Sequence, residues 1–505
     1  MPRSPRFDLG TIALDETGVE PLYRQLQSEL RNAILEGRLK PGERLPSTRR
    51  LATELRISRN TAAGAYDQLM AEGYIEAILG SGTRVSRQLP DRLLNVSRSR
   101  SATAPACGGR PSLLSKRGQS LQDLGRWLSG QDWSRIVPFQ PHAAALDAFP
   151  LEIWSQLTAR WFRRMPRSML SLGDPCGYRP LREAIAAYVG ASRGVRCDAD
   201  QVLVTAGTQQ GIELIARLLL DPGDTLWIEE PGYLPARLLV EQAGAKVVPI
   251  AVDESGIDVE AGARHHPAAR MAYITPSSQW PLAVTMTLPR RLALLEWART
   301  ADAWILEDDY NGEFRYAGRP LPALQGLDDS GRVIYMGTFS KILFPSLRLG
   351  YLVLPRDLIP VFAALRWLLD RHSPIVEQAV LADFINEGHF GRHIRRMRTL
   401  YAERQAALIE AFHEHLAEVI EIKPVDVGMH VFAWLREGWD EPTLLRAAAD
   451  SNIDLHPVSL LHALPPTRAG LIFGFAAFSP AEIHHAARSL SRALNVRRRT
   501  MQADS

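Results

Sequence analysis

In Tyr335–Tyr351, which reads YMGTFSKILFPSLRLGY, Lys341 sits among small, hydroxylic and apolar residues with Arg348 seven positions on. A lysine amine withdrawn from water and placed near a second cation loses basicity and becomes a Schiff-base nucleophile. Thr338 and Ser340 beside it, with Arg348 beyond, are the group types that hold a phosphate. A phosphorylated aldehyde that uses both features is pyridoxal phosphate (PLP), and the stretch reads as its anchor. The bland alternative is a buried structural lysine. Of 59 Lys and Arg residues only five are lysines, Lys40, Lys116, Lys246, Lys341 and Lys423, and Lys341 alone has this setting.

Three other loops carry matching chemistry. After VLVT comes Ala206-Gly-Thr-Gln-Gln-Gly211, where Gly207, Thr208 and Gln209 open a helix whose free N–H groups suit a phosphate. After TLWI comes Glu229-Glu-Pro-Gly-Tyr233, a turn that presents an aromatic ring. After AWILE comes Asp308-Asp-Tyr310. Two adjacent acids at a strand end are costly unless one meets a cation, and a protonated pyridine nitrogen would serve. For Asp308 a helix cap or a surface ion pair is the plainer reading. Together the loops supply what PLP needs: a lysine for its aldehyde, an acid for its ring nitrogen, an aromatic to stack on the ring, a tyrosine for its hydroxyl, and Thr, Ser and Arg for its phosphate.

The elements that must position these loops are short apolar runs alternating with helical stretches: VLVT, TLWIEE, KVVPIAV, MAYIT, AWILEDD, RVIYMG and LGYLVLP. This alternation predicts a parallel sheet between helices, with ligands at the carboxyl ends of the strands. A helix is expected over 149–164. At 505 residues the chain is long enough for two or three domains. No apolar run reaches the ~18 residues of a membrane span, and the first residues lack the apolar core of a signal peptide. Cys107, Cys176 and Cys197 are not spaced for zinc, so free thiols in a cytoplasmic protein and no metal are expected.

The net charge of +3 hides an asymmetry. Residues 1–137 hold 21 Lys and Arg against 14 Asp and Glu, which is +7, leaving −4 for the rest. A basic N-terminal quarter points to a polyanion partner. Residues 21–37 place Tyr23, Leu26, Leu30 and Ile34 at helical spacing between Pro21 and Gly37. Ser47 and Ser58 stand as caps of two further helices, and Tyr74–Val85 reads as a glycine-tipped hairpin. Three helices and a hairpin make a winged helix-turn-helix. Its recognition helix would present Arg59, Asn60 and Thr61 to base edges, while Arg49, Arg50 and the wing around Ser81, Gly82 and Arg84 suit phosphates or the minor groove. A small three-helix domain with solvated arginines is the alternative. Residues 87–137, rich in Arg, Ser, Pro and Gly, read as a flexible basic linker.

The run PLYRQLQ…GSGTRV, with its PGERLPSTRRLA turn-helix, SRNT helix start and GSGT wing, resembles the DNA-binding domain of GntR-type bacterial regulators. That resemblance puts Arg49, Arg59, Asn60, Thr61 and Gly82 at DNA-contacting positions; Ala62-Ala-Gly64 departs from the bulkier residues usual there. GDPCGYRPLREAIAAY, VLVTAGTQQGIELIARLLLDPGD, EEPGY, ILEDDYNGEFRY and GTFSKILFPSLRLGY resemble class I aminotransferases of fold type I. The whole chain is similar to the MocR subfamily, which fuses the two. The resemblance implies a winged helix-turn-helix over 16–86, a linker over 87–137 and a PLP domain over 138–495. That domain would have a mainly parallel sheet and a smaller α+β subdomain from about 362. Lys341 would be the Schiff-base lysine, Asp308 the partner of the ring nitrogen, Tyr310 that of its hydroxyl and Tyr233 the stacking ring. Arg348, Thr338, Ser340 and Thr208 would surround the phosphate.

Two departures concern the ligand. Thr275–Ala283 has Ser278 where a histidine is usual and Leu282-Ala283 where Thr-Gly is usual. The strand Gly470–Phe475 has no arginine for a substrate carboxylate, so Arg468 or Arg237 would have to substitute. His430 either faces the site or is a core histidine. The resemblance implies a homodimeric regulator that binds double-stranded operator DNA, in the cytoplasm at the nucleoid, and senses an amine, an amino acid or PLP itself at Lys341. A working aminotransferase with a DNA-binding appendage, and a fold that no longer binds PLP, are the alternatives.

Overall fold

A computed structural model describes residues 20–78, 82–87, 114–130, 135–141, 143–318, 321–466 and 468–503, with Ile12, Leu14, Asp15, Leu89 and Asp132. Ser81 of the wing and most of the expected linker, including Cys107, lie outside the described residues. The chain divides into two compact units, residues 1–115 and 116–505.

In the first unit, helices α1 (Leu22–Leu35), α2 (Thr48–Leu55) and α3 (Arg59–Ala71) precede an antiparallel hairpin, β1 (Ile75–Ile78) and β2 (Gly82–Val85). The caps are formed as the sequence requires. Ser47 Oγ accepts from the Arg50 amide at 3.3 Å and Ser58 Oγ from the Thr61 amide at 3.0 Å. Leu26, Leu30 and Ile34 of α1 meet Leu51 of α2 and Ala62, Ala65, Tyr66 and Leu69 of α3, and Ile75 and Val85 of the hairpin close the core. Alanines at 62 and 65 let the helices approach closely. Tyr66 donates to the Pro46 carbonyl at 2.9 Å and ties α3 to the turn before α2. Tyr23, expected on the buried face of α1, is 37% exposed. It sits in the first turn and lies over Gly64.

The second unit begins earlier than its composition suggests. Part of the stretch read as a flexible linker forms two short helices, Lys116–Ser120 and Gln122–Ser129, and Gln242 Nε2 donates to Ser120 Oγ at 2.7 Å. The average composition of 87–137 hides a local run, LQDLGRWL, whose Asp123 near the start and Arg126 near the end favour a helix.

The eight-stranded sheet has the order β3-β10-β9-β8-β7-β4-β5-β6. Its strands are β3 (Val202–Thr205), β4 (Thr225–Glu230), β5 (Lys246–Asp253), β6 (Gly256–Ile257), β7 (Met271–Ile274), β8 (Trp304–Asp309), β9 (Val333–Thr338) and β10 (Gly350–Val353). Strands β5, β4, β7, β8 and β9 are mutually parallel, as expected. LGYLVLP, read as one more parallel strand, is instead antiparallel to both β9 and β3. Its connection from β9 is too short for a helical crossover. A smaller antiparallel sheet, in the order β11-β12-β14-β13, comprises β11 (Ile420–Ile422), β12 (His430–Leu435), β13 (His456–Pro457) and β14 (Gly470–Gly474). The segment entering the unit joins this sheet: Phe139 bridges Gly474 and packs edge-on against Phe412 and Phe473. The smaller subdomain thus also draws on residues near 139, not only on those after 362. The helix expected over 149–164 runs from Leu151 to Arg164. Among the described residues no helix is long and apolar enough to cross a membrane.

Strand alternation in β8 sends Leu306 and Asp308 to one face and Ile305, Glu307 and Asp309 to the other. Asp309 meets Arg193, with Oδ2 2.8 Å from Nε, and accepts from the Tyr335 hydroxyl at 2.8 Å. Both ions of this pair are buried. Removing the cation strands the carboxylate, which typically costs about 3–5 kcal/mol. Arg193→Met is therefore expected to lower the unfolding free energy of the second unit by that order, and its denaturant midpoint with it, with part of the loss recovered in Arg193→Met/Asp309→Asn. Denaturant titration checks both; an unchanged midpoint in the single variant would remove this pair from the account of stability.

Candidate functional site

The carboxyl ends of β3, β4, β7, β8 and β9 open onto one cavity. Every residue assigned to the cofactor from sequence lines it: Gly207, Thr208 and Gln209 after β3, Tyr233 after β4, Asp308 and Tyr310 at the end of β8, and Thr338, Ser340, Lys341 and Arg348 around β9. The antiparallel turn between β9 and β10 explains how Lys341 and Arg348, seven residues apart, reach the same space. Thr338 stands opposite Gly350, and the Phe339 amide donates to the Leu349 carbonyl at 3.0 Å, closing the loop. The Ser340 amide donates to Thr338 Oγ1 at 3.1 Å. Arg348 adopts φ +48°, an unusual conformation for a side-chain-bearing residue and one found at functional sites. Gly207, at φ +104°, is required on two counts: a Cβ there would lie 3.1 Å from an Arg348 guanidinium nitrogen.

Two further lining residues, Tyr273 and Pro345, were not singled out from the sequence, while Thr275 and Trp280 line the cavity from the loop 275–283 that was read as concerning the ligand without a role for either. Tyr273 donates to Asp308 Oδ2 at 2.8 Å. Thr275 Oγ1 donates to Glu229 Oε2 at 2.5 Å and accepts from the Trp280 amide at 3.0 Å, fixing the loop that carries Trp280. MAYIT carried a readable signal, since Tyr273 and Thr275, two residues apart in an extended run, share a face.

The electrostatics are those of a water-poor pocket. Burial, with Arg348 nearby, brings the Lys341 amine down to about 7, against the pull of Asp308. The cavity reaches the lysine, so its surface is only half-buried, but protein atoms surround it closely. Burial brings the Asp308 carboxyl up to about 7; the Tyr273 hydrogen bond opposes this and the Asp309 charge adds to it. Asp308 Oδ1 and Ser340 Oγ are buried without a hydrogen-bond partner among the described residues. The helix Thr208–Leu219 has no side-chain cap, which leaves its first amides unclaimed by one. An acceptor awaiting a donor, a hydroxyl and a helix start with an arginine, and an amine of low basicity match the ring nitrogen, phosphate and aldehyde of PLP. The residues present fit the group.

Other assignments need correction. Arg468 does not line this cavity: its guanidinium pairs with Glu421 at 2.9 Å and lies over the Trp434 ring. Arg237 does not line it either, but borders a narrow cleft with Glu230 and Leu461. Neither arginine is placed to receive a carboxylate there. His430 is a core residue, edge-on to Trp280 at 4.7 Å with Nε2 3.1 Å from the Pro281 carbonyl. Burial lowers it to about 4. Ser278 is buried behind the lining, near Tyr310.

In the first unit Arg49, Arg59 and Asn60 are exposed, the last two in the first turn of α3. Thr61 is less available than expected, because its hydroxyl shares a 2.8 Å hydrogen bond with Ser58 Oγ at the cap. Arg84, read as a DNA contact, is half-buried and donates to the Gly42 carbonyl at 2.9 Å, bracing the turn before α2. An exposed arginine at the wing that was not singled out is Arg44: a Cβ on Gly82 would lie 3.2 Å from its Nε. Elsewhere Glu414, His415 and His484 bring ligand-type atoms within 4.8 Å of one another.

Comparison with known proteins agrees with both halves. Residues 22–85 match the gntR family of bacterial regulatory proteins, and residues 144–490 match the aminotransferase class I and II family. The chain is 41% identical over 486 residues, 95% of each protein, to the probable rhizopine catabolism regulatory protein MocR of Rhizobium meliloti. It is 30% identical, over 92% of this chain and 94% of the other, to the pyridoxine biosynthesis transcriptional regulator PdxR of Corynebacterium glutamicum. Among solved structures, Pyrococcus horikoshii kynurenine aminotransferase, in complex with PMP, superposes with a TM-score of 0.68 at 27% identity, covering 76% of this chain and 97% of that one. The multiple substrate aminotransferase of Thermococcus profundus gives 0.69 at 26% identity, covering 77% and 98%. The second unit thus has the fold type I aminotransferase architecture. The chain belongs to the MocR-type branch of the gntR family, transcriptional regulators in which a gntR DNA-binding domain precedes an aminotransferase class I and II domain.

Proposed function

We propose that this regulator holds PLP at Lys341 and answers an amine, or PLP itself, by changing how its winged helices engage operator DNA. The observation that carries the reading is the meeting of a low-basicity lysine and a buried carboxyl with a vacant acceptor at the ends of five strands. When bound, PLP supplies an aldehyde carbon that takes up an amine and a ring that draws electrons from it.

The chain's own groups do the rest. Burial and the nearby Arg348 make the Lys341 amine give up its proton far more readily than an ordinary lysine, and the unprotonated amine is the nucleophile. Asp308 Oδ1 receives the ring N–H, with Tyr273 holding the other oxygen of the carboxylate. Thr208, Ser340, Thr338 and Arg348 receive the phosphate, helped by the start of the helix Thr208–Leu219. Tyr233 covers the ring and Tyr310 faces its hydroxyl. A ligand that binds two arrangements of a homodimer unequally shifts the spacing or orientation of its two winged helices on paired half-sites. The setting is the bacterial cytoplasm, with the chain at the nucleoid when it is DNA-bound.

A second reading, turnover as an aminotransferase, is favoured by the solved relatives and by a lysine basic enough to move a proton. Sustained keto-acid formation with a panel of amino acids would establish it; a single half-reaction would not.

Asp308 gives a pH test. Its carboxyl moves from the ordinary 3.8 to about 7 in the fold, so folding retains a proton across that window. Stability of the cofactor-free protein therefore falls as pH rises from about 4 to about 7, with Asp308 contributing up to about 4 kcal/mol. Glu307, also raised to about 7 by burial, adds the same slope in wild type and variant alike, whereas Glu229, raised to about 7 by burial and in part by the Asp308 charge, adds a smaller one in the variant. Asp308→Asn should be the more stable protein at pH 8 and lose that advantage by pH 4, while binding PLP more weakly. Melting curves at the two pH values, with a PLP titration, check this; a variant no more stable at pH 8 would contradict it.

At the other unit, Arg59→Ala should weaken operator binding by about 1–3 kcal/mol, roughly fivefold to 150-fold, and leave PLP binding unchanged. Gel shifts on the protein's own operator that ignore the substitution would move the groove contact away from the start of α3.

A further inference from the structure

The cavity is apolar where a carboxylate clamp would be needed. Of the β14 residues, Leu471 and Phe473 point into the core beneath the small sheet, while Ile472 turns the other way and is 1% exposed. Ile472 packs with Trp280 and Tyr310, both of which line the cavity, and Phe432, its neighbour across β12, backs the same cluster together with Leu461. His430 stacks edge-on behind Trp280 and stays neutral above about pH 4, so it adds no charge.

Among the described lining residues the cations are Lys341 and Arg348. PLP would claim both, one at its aldehyde carbon and the other at its phosphate. Asp308 would be claimed in turn by the ring N–H, which leaves no cation among these residues for a second carboxylate. A carboxylate entering beside Trp280 and Tyr310 would give up water and meet no free cation, which costs several kcal/mol. An aromatic or aliphatic group in the same place gains about 25 cal/mol for each Å² removed from water, and more if it stacks edge-on with either ring.

We propose that the effector is a primary amine without a carboxylate, whose apolar substituent rests against Trp280 and Tyr310 with Ile472 as the backing that excludes acids. The proposal rests on PLP being bound at Lys341. Exchange with Lys341 at the cofactor carbon replaces one carbon–nitrogen bond by another. The amine's two hydrogens pass to the lysine nitrogen, and nothing is oxidised or reduced.

The test uses full-length protein loaded with PLP and two ligand pairs that differ only in the carboxylate: phenethylamine against phenylalanine, and tyramine against tyrosine. Midpoints are read from the visible band and from binding calorimetry. Each amine is expected to bind at least tenfold more tightly than its amino acid, and Ile472→Arg to narrow or invert that ratio in a variant that still takes up PLP. An amino acid that binds as tightly as its amine in the wild type overturns the proposal, as does a loaded protein that responds to neither member of a pair. If Ile472→Arg fails to fold, the wild-type ratios decide alone. A protein that never acquires the visible band contradicts the cofactor reading itself, and this proposal falls with it.

Discussion

A carboxyl and an amine share the water-poor end of one sheet, and each is held away from its ordinary protonation state. Asp308 rises and Lys341 falls toward the same neutral range, both chiefly through burial. Desolvating two such groups without a close salt bridge between them costs stability, and a structural core would not need it. The cost has a use if a third charge, such as a protonated ring, completes the set. Much of the surrounding architecture serves this pair. Tyr273 holds one Asp308 oxygen, Arg193 pairs with the adjacent Asp309 on the opposite face, and the antiparallel turn from β9 to β10 brings Arg348 over Gly207.

The division of labour between Asp308 and Asp309 shows what strand geometry adds to a sequence. Two neighbouring acids read as a problem in need of one cation. Alternation splits the problem: Asp309 receives a guanidinium from the protein, whereas Asp308 is left with a free acceptor facing a cavity. The fold type I architecture supplies this arrangement, and the MocR-type chain places it on the same polypeptide as a gntR helix-turn-helix.

The sequence made some of this plain and left other parts obscure, for physical reasons. The strand runs, the caps at Ser47 and Ser58 and the loops at 206–211, 229–233 and 308–310 were legible, because short continuous apolar runs, cap chemistry and glycine turns are local. Arg193 and Tyr273 were not, since each acts on a residue more than thirty positions away. The antiparallel sense of β10 depends on its pairing with β3 and β9, which its own residues do not encode. Arg468 and Arg84 have partners that the sequence did not show, for a related reason. An arginine in sequence is a free cation, but in the fold Glu421 and the Gly42 carbonyl already engage them. The helices at 116–129 were hidden by averaging over a polar stretch.

Reduction of the PLP-loaded protein with borohydride, followed by digestion and mass spectrometry, tests the role of Lys341 most directly. With five lysines in the chain the outcome is unambiguous. The phosphopyridoxyl label is predicted on the peptide containing Lys341 and on none containing Lys40, Lys116, Lys246 or Lys423. A label on one of those four, or a protein that retains no label after loading and reduction, would contradict it.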